Sequence, residues 1–174
     1  DGKLVIKPVE TKDENGNTAY TSGRVNTQGK HDFTYGLFEA SIKMPKGQGF
    51  LPAFWMMPTD ENLYGQWPRC GEIDIAEVLG NDTGTTYGTI HYGNPHKESQ
   101  GSYVLSEGDF AEEFHTYACE WNPGEIKWYV DGNLIHTAND WYSATEGLGE
   151  ITFPAPFDQP YYIIFNLAVG GHWP

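Results

Sequence analysis

Glu72, Asp74 and Glu77 place three carboxylates within six residues, in the stretch GEIDIAEVLG (71–80). Glu72 and Asp74 are two apart, the spacing of side chains on one face of a β-strand. Glu77 falls out of that step. In an unbroken strand it would point into the core beside Ile73 and Ile75, and burying an unpaired carboxylate costs several kcal/mol. One extra residue, a β-bulge at Ile75 or Ala76, resolves the conflict. It returns Glu77 to the face of Glu72 and Asp74 and Val78 to the core. A helix would scatter the three acids, and the two isoleucines favour a strand.

Three acids on one surface repel each other, so at least one holds its proton while another stays ionised. Hydrolysis of a glycosidic bond uses that division: one carboxyl protonates the leaving oxygen and one carboxylate attacks the anomeric carbon. Asp74, between the two, would share a proton and hold the nucleophile. On spacing alone, a solvated acidic face or a cation site is an equally good reading. Aromatic residues favour the first. Trp55 in FLPAFW and Trp67 in YGQWP lie in glycine- and proline-rich contexts, which predicts loops or strand ends with ring faces free to stack on sugars. Trp121 and Trp128 read as core. His91 in GTIHYG either faces the same cleft from a neighbouring strand or is a satisfied structural histidine.

The elements that would position these groups are short β-type runs between turn signals. They are LVIKPV (4–9), AYTSGRV (19–25), YGLFEASIKM (35–44), FLPAFWMM (50–57), EIDIAEVL (72–79), TTYGTIHY (85–92), SYVLS (102–106), FHTYACEW (114–121), EIKWYV (125–130), NLIHT (133–137) and YYIIFNLAV (161–169). Asp131-Gly132 marks a tight hairpin, since both central positions of such a turn favour positive φ. DFAEEF (109–114) is the one helical turn, with Asp109 as its cap. Strands without intervening helices predict an all-β antiparallel sandwich or barrel. With no repeat, linker or low-complexity segment, the 174 residues read as a single domain.

Composition narrows the partners. The formal net charge is -14 with only ten Lys and Arg, which argues against nucleic acid and anionic membranes and is compatible with a neutral ligand. No apolar run approaches the roughly 18 residues of a membrane span. Cys70 and Cys119 are too few for a disulfide framework. No cluster has zinc-like spacing, and no glycine-rich loop ends in Lys-Ser or Lys-Thr.

WPRCGEIDIAE resembles the active-site signature of glycoside hydrolase family 16, in the bulged form of laminarinases, which are endo-β-1,3-glucanases. YTSGRVNTQGK, YGLFEASIKMPKGQG, PAFWMMP, GTIHYG, FHTYACEWNPGEIKWYVDG and FNLAVGGHWP are similar to laminarinase segments in the same order. The resemblance implies an antiparallel jelly-roll β-sandwich of the concanavalin type with a concave substrate cleft. It implies a retaining endo-hydrolase of β-1,3-glucan, acting also on mixed β-1,3/1,4-glucan. Glu72 is then the nucleophile, Asp74 the helper and Glu77 the acid/base, and Trp67, Trp55, His91, Glu39 and Asn166 line the cleft. It implies a secreted monomer with a glucan partner, no cofactor for catalysis, a structural calcium, and two cysteines kept as thiols by an intervening strand. Relatives usually continue at both ends, so the chain is expected to lack N- and C-terminal strands. Two departures touch sugar contacts: Ser41 stands where the family has arginine after Glu39-Ala40, and Leu51 stands where it has tryptophan. A galactan hydrolase of the same fold and a non-catalytic glucan-binding protein are the competing functions. Such binding relatives lose catalytic carboxylates, whereas all three are present here.

Overall fold

The computed structural model describes residues 2–145 and 149–174. Fifteen strands occur among them. In chain order they are β1 (Val9–Lys12), β2 (Thr18–Thr21), β3 (Arg24–Asn26), β4 (Asp32–Phe33), β5 (Gly36–Ile42), β6 (Phe50–Pro58), β7 (Glu72–Leu79) and β8 (Asp82–Tyr92). Then come β9 (Lys97–Val104), β10 (His115–Asn122), β11 (Glu125–Val130), β12 (Asn133–Ala138), β13 (Ser143–Thr145), β14 (Gly149–Ile151) and β15 (Tyr161–Val169).

Alternation along these runs decides the architecture. In β6, Phe54 and Met56 are buried on one face while Ala53 and Trp55 on the other are half-buried. A seven-stranded antiparallel sheet forms in the order β3-β15-β6-β7-β8-β9, with β4 also on β15. A four-stranded sheet runs β12-β11-β10-β5. Their apolar faces meet in one core. Phe54, Met56, Ile73, Ala76, Val78 and Ile90 of the larger sheet pack on Phe38, Tyr117, Cys119, Trp121, Ile126 and Trp128 of the smaller. Full burial of each aliphatic or phenyl side chain contributes about 1.5–3 kcal/mol. The fold is the antiparallel jelly-roll sandwich, and the opposite face of the larger sheet is left for chemistry.

Two glycines set how closely the sheets approach. Gly88 and Gly101 are cross-strand partners on the core face of β8 and β9. A Cβ at Gly88 would lie 2.4 Å from the Trp128 ring, and one at Gly101 would lie 2.4 Å from Cβ of His136. Their missing side chains are the space into which the smaller sheet inserts those rings. Trp128 is fully buried, and its Nε1 donates to the backbone oxygen of Asp74 at 2.8 Å.

The structure departs from the sequence reading at the first apolar run. LVIKPV is not a strand: Leu4 and Val5 are exposed, and β1 begins only at Val9, after Pro8. Proline has no N–H for a ladder. AYTSGRV breaks at Ser22-Gly23 into β2 and β3, which join different sheets. The two-residue β4 and the short pair β13 and β14 carry no alternating pattern long enough to read. Asp131 and Gly132 take φ values of 48° and 77° in the turn between β11 and β12, as expected. Asp109 caps its turn by accepting from the Ala111 N–H at 2.8 Å. Cys70 and Cys119 are both buried thiols. They are separated by lying in different apolar clusters, not by β8, which runs on the far side of β7.

Gly88→Ala should overpack the Trp128 pocket and destabilise the fold by about 1–3 kcal/mol. Gly84→Ala, whose methyl would meet nothing closer than 3.8 Å, is the control on the same strand. Urea midpoints of the two variants check this; equal midpoints would contradict the close approach at Gly88.

Candidate active site

The register of β7 breaks where the acids lose step. Against β6, Phe54 pairs with Ala76 and Trp55 with Asp74, so Ile75 is the extra residue. Against β8, Asp74 pairs with Thr89 and Glu77 with Tyr87, so Ile75 and Ala76 stand against the single Gly88. Ile73, Ile75, Ala76 and Val78 are all buried, while Glu72 and Glu77 face the open side. The bulge therefore lies where the acidic spacing places it.

Directly opposed residues share a face, so the pairings lay out the site in rows across the sheet. The first row is Glu72, His91 and Glu98. The second is Trp55, Asp74, Thr89 and Gln100. The third is Asn166, Ala53, Glu77 and Tyr87, with Arg24 opposite Asn166. Trp55, Trp67, His91 and Asn166 thus gather around the acids. Trp55 sits in mid-strand rather than in a loop or at a strand end, and its Nε1 donates to Oδ1 of Asn166 at 2.6 Å. The Arg24 guanidinium lies 4.7 Å from the Trp55 ring centre. Trp67, 47% exposed, donates from Nε1 to Oε2 of Glu72 at 2.7 Å.

Glu39 is not brought to this face. It pairs with Ala118 on the smaller sheet, exposed, while its neighbours Phe38 and Ala40 turn toward the core. Alternation along β5 puts it on the outside of the sandwich. Three groups that the sequence did not single out do belong to the site's surroundings. His96 lies with its Nε2 3.0 Å from Nδ1 of His91. Glu98 stands opposite His91 across the β8–β9 hairpin. Trp173 lies 5.6 Å from the Tyr87 ring at the Glu77 end. The hairpin turn GNPHK was the available signal for the first two.

Burial separates the three acids electrostatically. Asp74 is 2% exposed, more deeply enclosed than an open acidic face implies. Burial first, then the charges of Glu77 and Glu72 and a hydrogen bond shared with Glu72, hold its carboxyl well above the usual range. Its Oδ2 has no hydrogen-bond partner, and His91 Nε2 stands 3.3 Å away. Glu77 is pushed up to about 7 by burial and by the charges of Glu72 and Glu98. Burial lowers His91 below its ordinary value despite those two carboxylates, which favours its neutral form. One acid poised near neutrality beside a second that keeps its proton is the arrangement that acid–base chemistry needs.

Two clusters of potential metal ligands occur among the described residues: Glu72, Asp74 and His91, and His91, His96 and Glu98. Calcium takes about six to eight oxygen ligands. Both clusters contain histidine, so these side chains do not fit a calcium cage. A larger cavity of about 510 Å³ lies between β5 and β15, but its lining, including Ala40, Ile42, Phe165 and Leu167, holds no acid or histidine. A groove of about 360 Å³ beside Trp55, Arg24 and Asn166 continues the carboxylate face.

Known proteins resemble the chain over nearly its whole length. The family model of glycosyl hydrolases family 16 matches residues 5–174. The chain is 41% identical over 184 residues to glucan endo-1,3-beta-glucosidase A1 of Niallia circulans, covering 99% of this chain and 26% of that protein. It is 37% identical to the beta-1,3-glucan-binding protein of Penaeus monodon, covering 87% of this chain and 47% of the other. Among solved structures, the laminarinase catalytic domain from Thermotoga maritima MSB8 superposes with a TM-score of 0.76 at 42% identity, covering 97% of this chain and 68% of that one. The chain thus spans between about a quarter and about half the length of these two curated relatives.

A carboxyl with a raised folded-state pKa binds its proton more tightly folded than unfolded. Its stabilising contribution is complete below the unfolded value and is lost as pH rises through the folded one. For Glu77 that window runs from 4.5 to about 7. Stability should therefore fall across it, and Glu77→Gln should flatten the fall. Urea midpoints at several pH values within the window check this; an unchanged slope in the variant would assign the loss to another group.

Proposed function

The chain belongs to glycosyl hydrolases family 16, and from that premise we propose that it is an endo-acting, retaining hydrolase of β-1,3-glucan. Mixed β-1,3/1,4-glucan is a second substrate under the same proposal. The observation that carries it is the placement of Glu72 and Glu77 on one face of a bulged strand, with the buried Asp74 between them. Glu77, half-protonated near neutrality, donates its proton to the glycosidic oxygen as the bond to the anomeric carbon breaks. Glu72 attacks that carbon and forms a glycosyl ester. Glu77, now a base, takes a proton from water, which attacks the ester carbon and releases Glu72. Two inversions give retention.

Asp74 touches the nucleophile rather than the sugar in this scheme. Its proton, shared with Glu72, fixes the attacking carboxylate and keeps a third negative charge out of the site. Trp67 holds the other side of Glu72 and presents an exposed ring to the sugar chain. Trp55 and Asn166, bonded to each other, supply a second platform toward the Glu77 end.

A polymeric glucan does not cross a membrane unaided, which supports action outside the cell. All three acids come from one strand of one chain, which supports a monomer. No helix among the described residues is long and apolar enough to cross a membrane.

The test is release of reducing ends from laminarin, lichenan, agarose and carrageenan. Release from the two glucans, with fresh product of β configuration in early NMR spectra, is expected. Release only from the galactans would replace the substrate, and laminarin binding without release would make this a binding protein. Glu77→Gln should lower activity by roughly 10²–10⁴-fold, the range for removing a general acid. Glu72→Gln should lose at least as much. Near-full activity in either variant, or α product, would overturn the mechanism.

A further inference from the structure

We propose that His91, His96 and Glu98 form a binding site for a divalent transition-metal ion of the zinc type, and that an ion held there blocks the adjoining carboxylate face. The three residues bring ligand atoms within 4.8 Å of one another. Nδ1 of His91 is 3.0 Å from Nε2 of His96 and 3.6 Å from Oε2 of Glu98. A tetrahedral ion with bonds of about 2.0–2.2 Å holds its ligand atoms about 3.3–3.6 Å apart, so the Glu98 separation lies at the upper end of that range and the His96 separation just below it. Two imidazoles and one carboxylate suit zinc, copper or nickel and do not suit calcium or magnesium. The alternative is that the two imidazoles simply share one proton.

The scaffold holds the ligands without an ion. His91 and Glu98 are opposite partners on β8 and β9, and His96 lies in the turn joining them. That turn is pinned from outside: Tyr142 Oη donates to the Pro95 carbonyl at 2.9 Å, and Gly93 packs so closely on the Tyr142 ring that a Cβ would meet it at 2.7 Å.

A second observation, independent of the cluster, points the same way. Asp74 Oδ2 is buried without a hydrogen-bond partner, and His91 Nε2 faces it at 3.3 Å. A metal on Nδ1 leaves the proton on Nε2, which then has this oxygen to receive it. The series carboxylate, histidine, metal is the usual outer support of histidine ligands. The same contact couples the ion to catalysis, because Asp74 is the residue that holds Glu72. The ion would also sit against Trp67, whose ring centre is 5.1 Å from His96 and 6.1 Å from His91. A sugar stacked on Trp67 and a hydrated ion at His96 compete for that space.

The ion site itself does not depend on the proposed function; the inhibition does, and the two are read separately. Calorimetry with zinc chloride on chelator-treated protein should give one ion per chain. His96→Gln and Glu98→Gln should each weaken binding by at least about tenfold, since even outer-support losses reach 10–100-fold. Both residues are exposed, so folding is not at stake. Absence of binding at millimolar zinc, or binding unchanged in both variants, overturns the site and favours a shared proton. With laminarin as substrate, zinc should lower the wild-type rate and EDTA should restore it, while the same zinc concentration should leave His96→Gln at its own zinc-free rate. Stoichiometric zinc binding with undiminished hydrolysis would overturn the inhibition alone.

Discussion

The hydrogen bond from Trp128 Nε1 to the Asp74 carbonyl is the point at which the two sheets and the acidic strand are fastened together. A bulge leaves backbone groups without ladder partners, and an unpaired buried carbonyl costs about 1–3 kcal/mol. β7 carries its bulge in the middle of a sandwich, beyond the reach of solvent on the core side. The donor comes from the opposite sheet. It can arrive only because Gly88 and Gly101 leave space beneath β8 and β9 for Trp128 and His136. Sheet spacing, the bulge and the alignment of Glu72 with Glu77 are therefore consequences of one packing arrangement.

The electrostatics follow from that backbone. Once the bulge turns Glu77 outward, three carboxyls share a small area, and Asp74 lies nearly out of solvent. Full ionisation of all three would place concentrated negative charge in a low-dielectric site on a protein already at net -14. The site relaxes by favouring protons on both: Asp74 is held well above the usual carboxylate range and Glu77 is pushed up to about 7. Glu98 adds to this from β9, so the proton on Glu77 is set partly by a residue two strands away. Proton retention here comes from burial and repulsion together, without a positive partner from Lys or Arg among the causes.

The sequence made legible what depends on local period, and it obscured what depends on strand pairing. The break between Asp74 and Glu77 is visible as a number, and it predicts the bulge because no other strand geometry avoids a buried charge. β7, β11 and β15 match their apolar runs residue for residue. LVIKPV has the composition of a strand, but a strand exists only if another offers its edge, and composition says nothing of that. Glu39 shows the same limit: resemblance assigns it to the cleft, while its pairing with Ala118 puts it on the other sheet's outer surface. The glycines and prolines around Trp55 point to a loop or a strand end. Pro52 and Pro58 are instead accommodated within β6, and Trp55 faces the acids from mid-strand. His96 and Glu98 became part of the site only when the hairpin register set Glu98 opposite His91.

The choice of aspartate at position 74 follows from the geometry between its neighbours. Glu72 and Glu77 lie in rows on either side of it, and the proposed mechanism has each extend a carboxyl over a substrate above the sheet. The central residue has a different task. Its backbone oxygen is held from below by Trp128, and its carboxyl must stay low enough to touch Glu72 and face His91. A glutamate there would raise a third carboxyl to the level of the other two and into water, where desolvation would no longer keep its proton. It would then repel Glu72 rather than brace it. Under the proposed mechanism, the shorter side chain makes the middle acid a support for the nucleophile and leaves the outer two to meet the sugar.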